Sequence, residues 1–369
     1  MIVDRIPLLS PAIGTQRELV SLTFGPKGAD RKVYMQASLH ADETPAMLAA
    51  ALLRKALARL ESEGRLNAEI VLVPVANPIG LSQHVMGQFF GCFELNSSAN
   101  FNRGIVRPAD LLARLEGRLG PDMAENRRII KAAMRQTLDV QRPGTEFESL
   151  RLVLQKLSCD ADIVLDIHCS LEAVVHVYTT HAAWHRFDPL ARHLQSKAQL
   201  LTDDTGLGLF VEWTNLLWAE LQSRFGRDCA LPEAAAAAII ELAGEREVSY
   251  PQAEQHAQAI IAYLATQGAI NDRGSPLPPL LHPATRQSAS EHFYAPISGI
   301  LVYRAEIGDI VRAGEPVCDI VDPITGACTT LASHSHGMFY MRRAIRFVTA
   351  GAEIGRITGP AIADPASTA

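Results

Sequence analysis

The stretch ASLHADETP, residues 37–45, ends an apolar run with side chains that can bind a metal or move a proton. His40 and Glu43 are three positions apart, so both can reach one point where an extended segment runs into a loop. In open α/β sheets, ligands bind just beyond the carboxyl ends of the strands. A strand-end histidine alone is ordinarily a satisfied polar residue, and Glu43 alone fits a helix start, where the dipole favours an acid. The pair therefore needs a third residue to indicate a metal site.

His168 supplies that residue, because it ends a second buried-strand pattern, ADIVLDIH. Two strand-ending histidines and a carboxylate make a His₂Glu set, which several catalytic zinc sites use while leaving a position open for water. The sequence therefore predicts one zinc ion per chain, held by His40, Glu43 and His168.

Two further motifs could act on a substrate. In NFNRG, Asn102 and Arg103 join an amide to a guanidinium, a pair suited to gripping a carboxylate through a planar two-donor fork. The alternative is a loop turn that Asn102 stabilises while Arg103 is solvated. Glu241 follows the apolar run AAAAAII, so its carboxylate is expected to project from a core element and to serve as the general base that metal hydrolases need. Glu245 and Glu247, in the same acidic cluster, are expected to face solvent.

The elements around these residues alternate between strand and helix. Residues 18–24, 32–39, 69–75 and the segment ADIVLDIH are predicted strands, and an Ala/Leu-rich helix opens at Thr44-Pro45. Further helices are predicted over 148–157 and 251–267, whereas AAAAAIIELAGE fits a helix or a strand. This alternation predicts an α/β fold with a mostly parallel mixed sheet flanked by helices.

The composition changes after residue 270, where NDRGSPLPPLLHPATRQ is typical of a linker. Short β-like pieces with glycine turns follow and predict a small all-β barrel-sandwich domain. The predicted division is a catalytic domain over 1–270, a Pro-rich linker over 271–290 and a β-rich domain over 291–369.

Bulk composition excludes several classes of protein. Hydrophobic residues make up 48% of the 369 residues, and the net charge is −6 without a Lys/Arg-rich run, which disfavours a nucleic-acid or anionic-membrane partner. Six cysteines without CxxC spacing suggest neither a zinc knuckle nor a disulfide framework. The absence of a signal-peptide pattern and of a spanning apolar segment predicts a soluble cytoplasmic protein. Homo-oligomerisation stays open.

The order of the motifs resembles the aspartoacylase/succinylglutamate desuccinylase family of the zinc carboxypeptidase superfamily. The likeness spans most of the first 270 residues: HxxE after a core strand, an Asn-Arg pair, a D-x-H strand and a late glutamate. It implies zinc on His40, Glu43 and His168, a substrate carboxylate on Asn102 and Arg103, and Glu241 as general base and acid. The implied activity is removal of an acyl group from a small N-acyl amino acid or related carboxylate-bearing amide.

The pattern departs from the family in two places. HADE stands where the family usually has HGxE, which keeps the ligand spacing. The run GQFFGCFELNSSA lacks the arginine that usually precedes the Asn-Arg pair and polarises the scissile carbonyl. Arg246 is a candidate for that role. A carboxypeptidase acting on peptides and a non-catalytic sensor of small acids are the alternative functions.

The C-terminal segment resembles the barrel-sandwich domains of biotinyl and lipoyl carriers, through APISGIL and GDIVRAGEPV. A carrier needs a lysine at its hairpin tip, and SHSHGM has none, so no swinging arm is predicted. His334 and His336 could suggest a second metal site, but histidines two apart in a β segment favour same-face polar residues.

Overall fold

The computed structural model describes residues 1–105, 110–272 and 276–362. Leaving out the positions between and beyond these ranges, the chain forms two compact units. Of these described residues, the first unit contains 1–105, 110–168, 203–239 and 250–272, and the second contains 169–202, 240–249 and 276–362. Among the described residues, no helix is long and apolar enough to cross a membrane.

Strands and helices alternate over the first half of the chain. The elements are β1 (Ile2–Pro7), β2 (Glu18–Phe24), β3 (Lys32–Ala37), α1 (Thr44–Ser62), β4 (Glu69–Val73), α2 (Pro78–Leu81), β5 (His84–Val85), β6 (Gln88–Phe89), α3 (Leu111–Leu115), α4 (Met123–Asp139), α5 (Glu146–Ser158) and β7 (Ile163–Ser170).

The middle of the chain continues the alternation, and the C-terminal part is almost wholly β. The middle elements are β8 (Glu172–Ala173), β9 (Val175–Thr179), α6 (Trp184–His193), β10 (Ala198–Leu201), α7 (Phe210–Phe225), β11 (Ala236–Gly244) and α8 (Tyr250–Thr266). The C-terminal elements are β12 (Ala284–Arg286), a 3₁₀ turn (Gln287–Ala289), β13 (Glu291–Tyr294), β14 (Gly299–Tyr303), β15 (Ile310–Val311), β16 (Pro316–Val321), β17 (Cys328–Ala332), β18 (Gly337–Arg342), β19 (Phe347–Val348) and β20 (Glu353–Ile357).

In the first unit, β3 lies between β4 and β7 and runs parallel to both. Strand β2 joins β4 antiparallel and β1 continues the edge. Strands buried on both faces read as continuous apolar runs, which is why KVYMQA and IVLDIH were recognisable as strands. The predicted strands at 18–24, 32–39, 69–75 and ADIVLDIH are confirmed, and AAAAAIIELAGE is strand β11 rather than a helix.

Helix α1 begins immediately after Glu43 and so fixes the position of that carboxylate. Pro45 stands in its first turn, where a missing N–H costs nothing. The small alanines Ala46, Ala49 and Ala50 are fully buried, which lets the helix lie close to its neighbours. Helix α8, near the predicted 251–267, packs on it.

In the second unit, β9, β10 and β12 are parallel neighbours, and the C-terminal strands form small antiparallel sheets. One of these has the order β13-β20-β18-β15 and the other β17-β16-β14-β19. A core that includes Phe293, Leu301, Ile320 and Phe339 stabilises them. The α/β class with small β sheets at the C-terminus is thus confirmed.

The three-part division of the sequence stays a prediction. The predicted linker 271–290 contains β12 and the 3₁₀ turn, and its residues 273–275 lie outside the described residues. Residues 363–369 of the predicted β-rich domain also lie outside them.

Candidate metal centre and active site

The loop between β3 and α1 places His40 and Glu43. Ser38, the first residue after β3, adopts a φ of 58° and turns the chain sharply. Its hydroxyl donates to the Glu43 carbonyl at 2.8 Å, which closes the loop. Glu43 occupies the N-cap position of α1, yet its side chain does not cap the helix. The carboxylate points instead at two imidazoles, so it does not act as a helix-start acid.

His40, Glu43 and His168 converge on one point. The Nδ1 atom of His40 lies 2.9 Å from Glu43 Oε1, and the Nδ1 atom of His168 lies 2.8 Å from Glu43 Oε2. One ligand atom from each residue can be chosen so that all three lie within 4.8 Å of one another. Among the described residues, this is the one group of three or more metal-binding side chains that could hold an ion. The predicted trio is therefore brought together.

The other nitrogen of each imidazole faces a protein oxygen. His40 Nε2 lies 3.0 Å from Asn100 Oδ1, and His168 Nε2 lies 3.0 Å from Asp166 Oδ2. Metal-binding histidines commonly direct their second N–H at a carboxylate or carbonyl, which fixes the tautomer and aims the free nitrogen at the metal. Both imidazoles thus present Nδ1 to the shared point.

A buried polar chain extends from Asp166 into the sheet. Asp166 and His168 are two apart on β7 and share one face of the strand. Gln36, which pairs in register with Asp166, donates from Nε2 to Asp166 Oδ1 at 2.9 Å. The Tyr34 hydroxyl donates to Gln36 Oε1 at 2.8 Å, which orients the amide. Tyr34, Gln36 and Asp166 are all 0% exposed, so this series of interacting side chains anchors His168 from within the core.

The electrostatics of the trio favour a cation. Burial by itself raises the pKa of Glu43, but the charges of His168 and His40 reverse this and lower it to about 2. Burial lowers the pKa of His168, but Asp166 and Glu43 raise it well above its ordinary value. Burial likewise lowers the pKa of His40, but the charge of Glu43 and hydrogen bonds with Cys92 and Glu43 together raise it to about 10. The two buried carboxylates, Glu43 and Asp166, therefore stabilise positive charge beside them, either as protons on the imidazoles or as a bound metal ion.

Asn102 and Arg103 lie beside the trio but differ in accessibility. Asn102 is 2% exposed, its Oδ1 accepts from the backbone N–H of Phe210 at 2.8 Å, and its Nδ2 lies 3.3 Å from His168 Nε2. Arg103 is half-buried and donates to the Asn102 carbonyl at 2.7 Å. Within the described chain it has no carboxylate partner. The Arg103 guanidinium thus keeps donors available for a ligand, whereas the Asn102 Oδ1 is already used by the Phe210 N–H.

Glu241 and Arg246 belong to the second unit. Glu241 lies on β11 and is half-buried. It is near Tyr178, whose pKa is raised first by burial and further by Tyr340 and Glu241. Arg246 follows β11, is 78% exposed and approaches Glu245 at 3.8 Å. The catalytic role of Glu241, like the roles of the other predicted residues, stays a prediction.

Four residues that surround the two histidines or continue from them had no role predicted from the sequence: Tyr34, Gln36, Asn100 and Asp166. Asp166 carried a usable signal, because D-x-H on a strand places both side chains on one face. Gln36 and Tyr34 lie within a predicted buried strand, and only the register between β3 and β7 pairs Gln36 with Asp166.

The fold and the trio together define the class of the protein. The fold is a mostly parallel sheet flanked by helices, and two histidines and a glutamate that could hold a metal ion lie where β3 and β7 end. The sequence profile of the succinylglutamate desuccinylase/aspartoacylase catalytic domain matches residues 29–267. The chain therefore belongs to the succinylglutamate desuccinylase/aspartoacylase family, a family of hydrolases.

Solved structures share the whole fold. A succinylglutamate desuccinylase/aspartoacylase family protein from Shewanella amazonensis has a TM-score of 0.82 at 24% identity, over 97% of this chain and 98% of the other. A protein of the same description from Shewanella frigidimarina has a TM-score of 0.84 at 22% identity, over 97% of both chains. The ectoine utilization protein EutE of Ruegeria pomeroyi, in a product-bound structure, has a TM-score of 0.63 at 12% identity, over 96% of this chain and 93% of the other. No curated protein sequence gives a significant match.

Proposed function

We propose that the protein is a zinc-dependent hydrolase that cleaves the amide bond of a small N-acyl amino acid or a related carboxylate-bearing amide. The observation that carries the proposal is the convergence of two imidazole Nδ1 atoms on the Glu43 carboxylate, with each outer nitrogen facing a protein oxygen. Two imidazoles and one carboxylate fit zinc, and the three ligands leave a fourth position for water or substrate.

His40, Glu43 and His168 would hold the metal. Zinc, when bound in such a site, polarises a carbonyl oxygen and lowers the pKa of a water molecule toward about 7. Asp166 keeps the proton of His168 on Nε2, because an anionic oxygen 3.0 Å away favours N–H there. Nδ1 therefore remains a lone-pair donor toward the metal.

The remaining roles follow the family and the chemistry of the side chains. A carboxylate oxygen of Glu241 accepts a proton from the attacking water and returns it to the leaving amine nitrogen. Arg103 binds the carboxylate of the substrate through its guanidinium, which has no carboxylate partner in the described chain. Asn102, whose Oδ1 accepts from the Phe210 N–H, is the second member of this proposed carboxylate-binding pair.

Zinc-loaded protein assayed against a panel of N-acetyl, N-succinyl and longer N-acyl amino acids tests the proposal by measuring release of free amine. Glu241→Gln keeps the shape but removes the proton acceptor, so turnover should fall at least about a hundredfold while zinc content stays near one per chain. Release of C-terminal residues from peptides, with no cleavage of N-acyl amino acids, would favour a carboxypeptidase. Binding of small acids without turnover would favour a sensor.

Arg103→Ala tests the substrate charge. Loss of a charge-assisted fork should lower kcat/KM for carboxylate substrates by roughly ten- to a hundredfold, and Arg103→Lys should restore charge but not geometry. Amides without a carboxylate should be poor substrates of the unmodified protein and lose little more in Arg103→Ala. If such amides react as fast as the acids in both proteins, the N-acyl amino acid assignment is wrong.

A further inference from the structure

One short segment touches both candidate histidine ligands. We define the Asn100–Gly104 loop as residues 100–104. Its Asn100 Oδ1 lies 3.0 Å from His40 Nε2, and its Asn102 Nδ2 lies 3.3 Å from His168 Nε2. Arg103, the proposed carboxylate-binding residue, lies in the same loop. The position of this backbone therefore affects both imidazoles and the guanidinium at once.

Arg151, on helix α5, binds the backbone of this loop. Its Nη2 donates to the Asn100 carbonyl at 3.1 Å and makes a short hydrogen bond to the Arg103 carbonyl. Its Nη1 donates to the Gly104 carbonyl at 3.4 Å. A guanidinium can reach several carbonyls because its five donors lie in one rigid plane. One side chain thus holds three of the five loop residues by their main chain.

Aromatic packing fixes Arg151 in place. Its guanidinium carbon lies 4.0 Å from the centroid of the Phe147 ring, one helical turn earlier on α5. The Phe147 ring also contacts the ring of Phe101, edge to face, at 5.3 Å. Phe101 is 1% exposed and belongs to the loop, so the loop is attached to α5 through an apolar contact as well as polar ones.

The Arg151 guanidinium donates hydrogen bonds to backbone carbonyls instead of forming an ion pair with an acidic side chain. Within the described residues it has no ion-paired carboxylate, and burial lowers its pKa to about 10 against a weaker opposing effect of Glu148. A half-buried cation is costly to desolvate unless its donors are used. Both Nη atoms donate to loop carbonyls, while the buried Nε has no hydrogen-bond partner among the described residues; the Nη contacts indicate a structural role next to the candidate site.

We propose that Arg151 is a positioning residue that clamps the Asn100–Gly104 loop, so that Asn100 and Asn102 stay against the two histidines and Arg103 stays in place for the substrate. The part that concerns Arg103 rests on the proposed function. The part that concerns the loop and the metal centre does not.

Hydrogen exchange of the zinc-loaded full-length chain tests the clamp without any substrate. The loop amides have identified acceptors: Phe101 N–H donates to Cys92 at 3.1 Å, and Gly104 N–H donates to Leu207 at 2.9 Å. In Arg151→Met these amides should exchange at least about tenfold faster, because the charge-assisted bonds to the loop are lost. Arg151→Lys should lie between the two, since one ammonium cannot reach three carbonyls. Arg128→Met, which removes a 74% exposed arginine of α4, is the matched control and should exchange like the unmodified protein.

Zinc affinity gives a second readout, measured by competition with a fluorescent chelator. Loss of ordered partners around metal-binding histidines weakens metal binding by about 10- to 100-fold. The zinc affinity of Arg151→Met should therefore be lower by about tenfold or more, and that of Arg128→Met should equal the affinity of the unmodified protein. Unchanged loop exchange in Arg151→Met would overturn the clamp. Exchange that rises equally throughout the chain would also overturn it, because Arg151 would then only stabilise the fold. Failure of every N-acyl amino acid in the activity panel would reject the proposed function and leave the exchange result standing.

Discussion

Glu43 and Glu291 both accept a hydrogen bond from a histidine, but their surroundings differ. Glu43 bridges His40 and His168, and His168 is 2% exposed. Glu291, on β13, receives the backbone N–H groups of His334 and Ser335 and the Ser335 hydroxyl, while the His334 side chain is 93% exposed.

Glu43 belongs to a buried group that could hold a cation, whereas Glu291 stabilises a turn. At Glu43, buried groups orient the imidazoles and direct their Nδ1 atoms at one point. At Glu291, five of the donors belong to the SHSH turn itself, namely the N–H groups of His334 and Ser335, the hydroxyls of Ser333 and Ser335, and the His334 ring. Histidine next to an acid is therefore not enough to indicate a metal site; the second nitrogen of the histidine must be anchored too.

The largest difference between the two regions is expected in zinc binding when one histidine is removed from each. His168→Ala deletes one of the three proposed zinc ligands, so zinc affinity should fall by more than about the 100-fold that outer residues can account for. His334→Ala should leave the zinc content near one per chain. Metal analysis after dialysis against a weak chelator checks both, and full zinc retention in His168→Ala would remove the metal centre from the proposal.

The next test changes Asp166, whose carboxylate faces the outer nitrogen of His168. Asp166→Asn keeps the shape but removes the anionic partner of His168 Nε2, which should weaken zinc binding by about 10- to 100-fold. Glu291→Gln, the matched change in the other region, should not alter it. Competition with a fluorescent chelator measures both affinities, and thermal unfolding controls for folding. Equal zinc affinity in Asp166→Asn and the unmodified chain would show that the buried chain serves only the core.

The convergence of His40, Glu43 and His168 could be predicted from the sequence, whereas the groups that surround them largely could not, for a physical reason. His40 and His168 end apolar runs, and ends of parallel strands meet at one edge of a sheet, so local pattern alone places them together. Gln36 and Asp166 meet only because β3 and β7 pair in one register, which depends on contacts 130 positions apart. Arg151 looked like an ordinary polar residue of a predicted helix, because a sequence does not show which backbone carbonyls a side chain reaches. For His334, the contact with Glu291, 43 positions away, is likewise not visible in the sequence.

The smallest expected effect concerns pH and the turn held by Glu291. Its hydrogen bonds with Ser335 and His334 outweigh the opposing effect of burial and lower the pKa of Glu291 from 4.5 to about 2. A carboxyl group whose pKa is lower in the folded state stabilises the fold at pH values above the pKa of the unfolded state, and this contribution is lost as the pH falls from about 4.5 toward about 2.

Glu291→Gln should therefore lower the free energy of unfolding by about 1 kcal/mol at pH 7, the usual scale for lost hydrogen bonds. The difference from the unmodified protein should shrink as the pH falls from about 5 to about 3.5, because the carboxyl group of the unfolded chain titrates in this range. Denaturant unfolding at several pH values measures it, with Glu306→Gln as the control because that side chain is 75% exposed and holds no turn. A difference that stays constant over this range would mean that the Glu291 carboxylate does not depend on its charge to hold the SHSH turn.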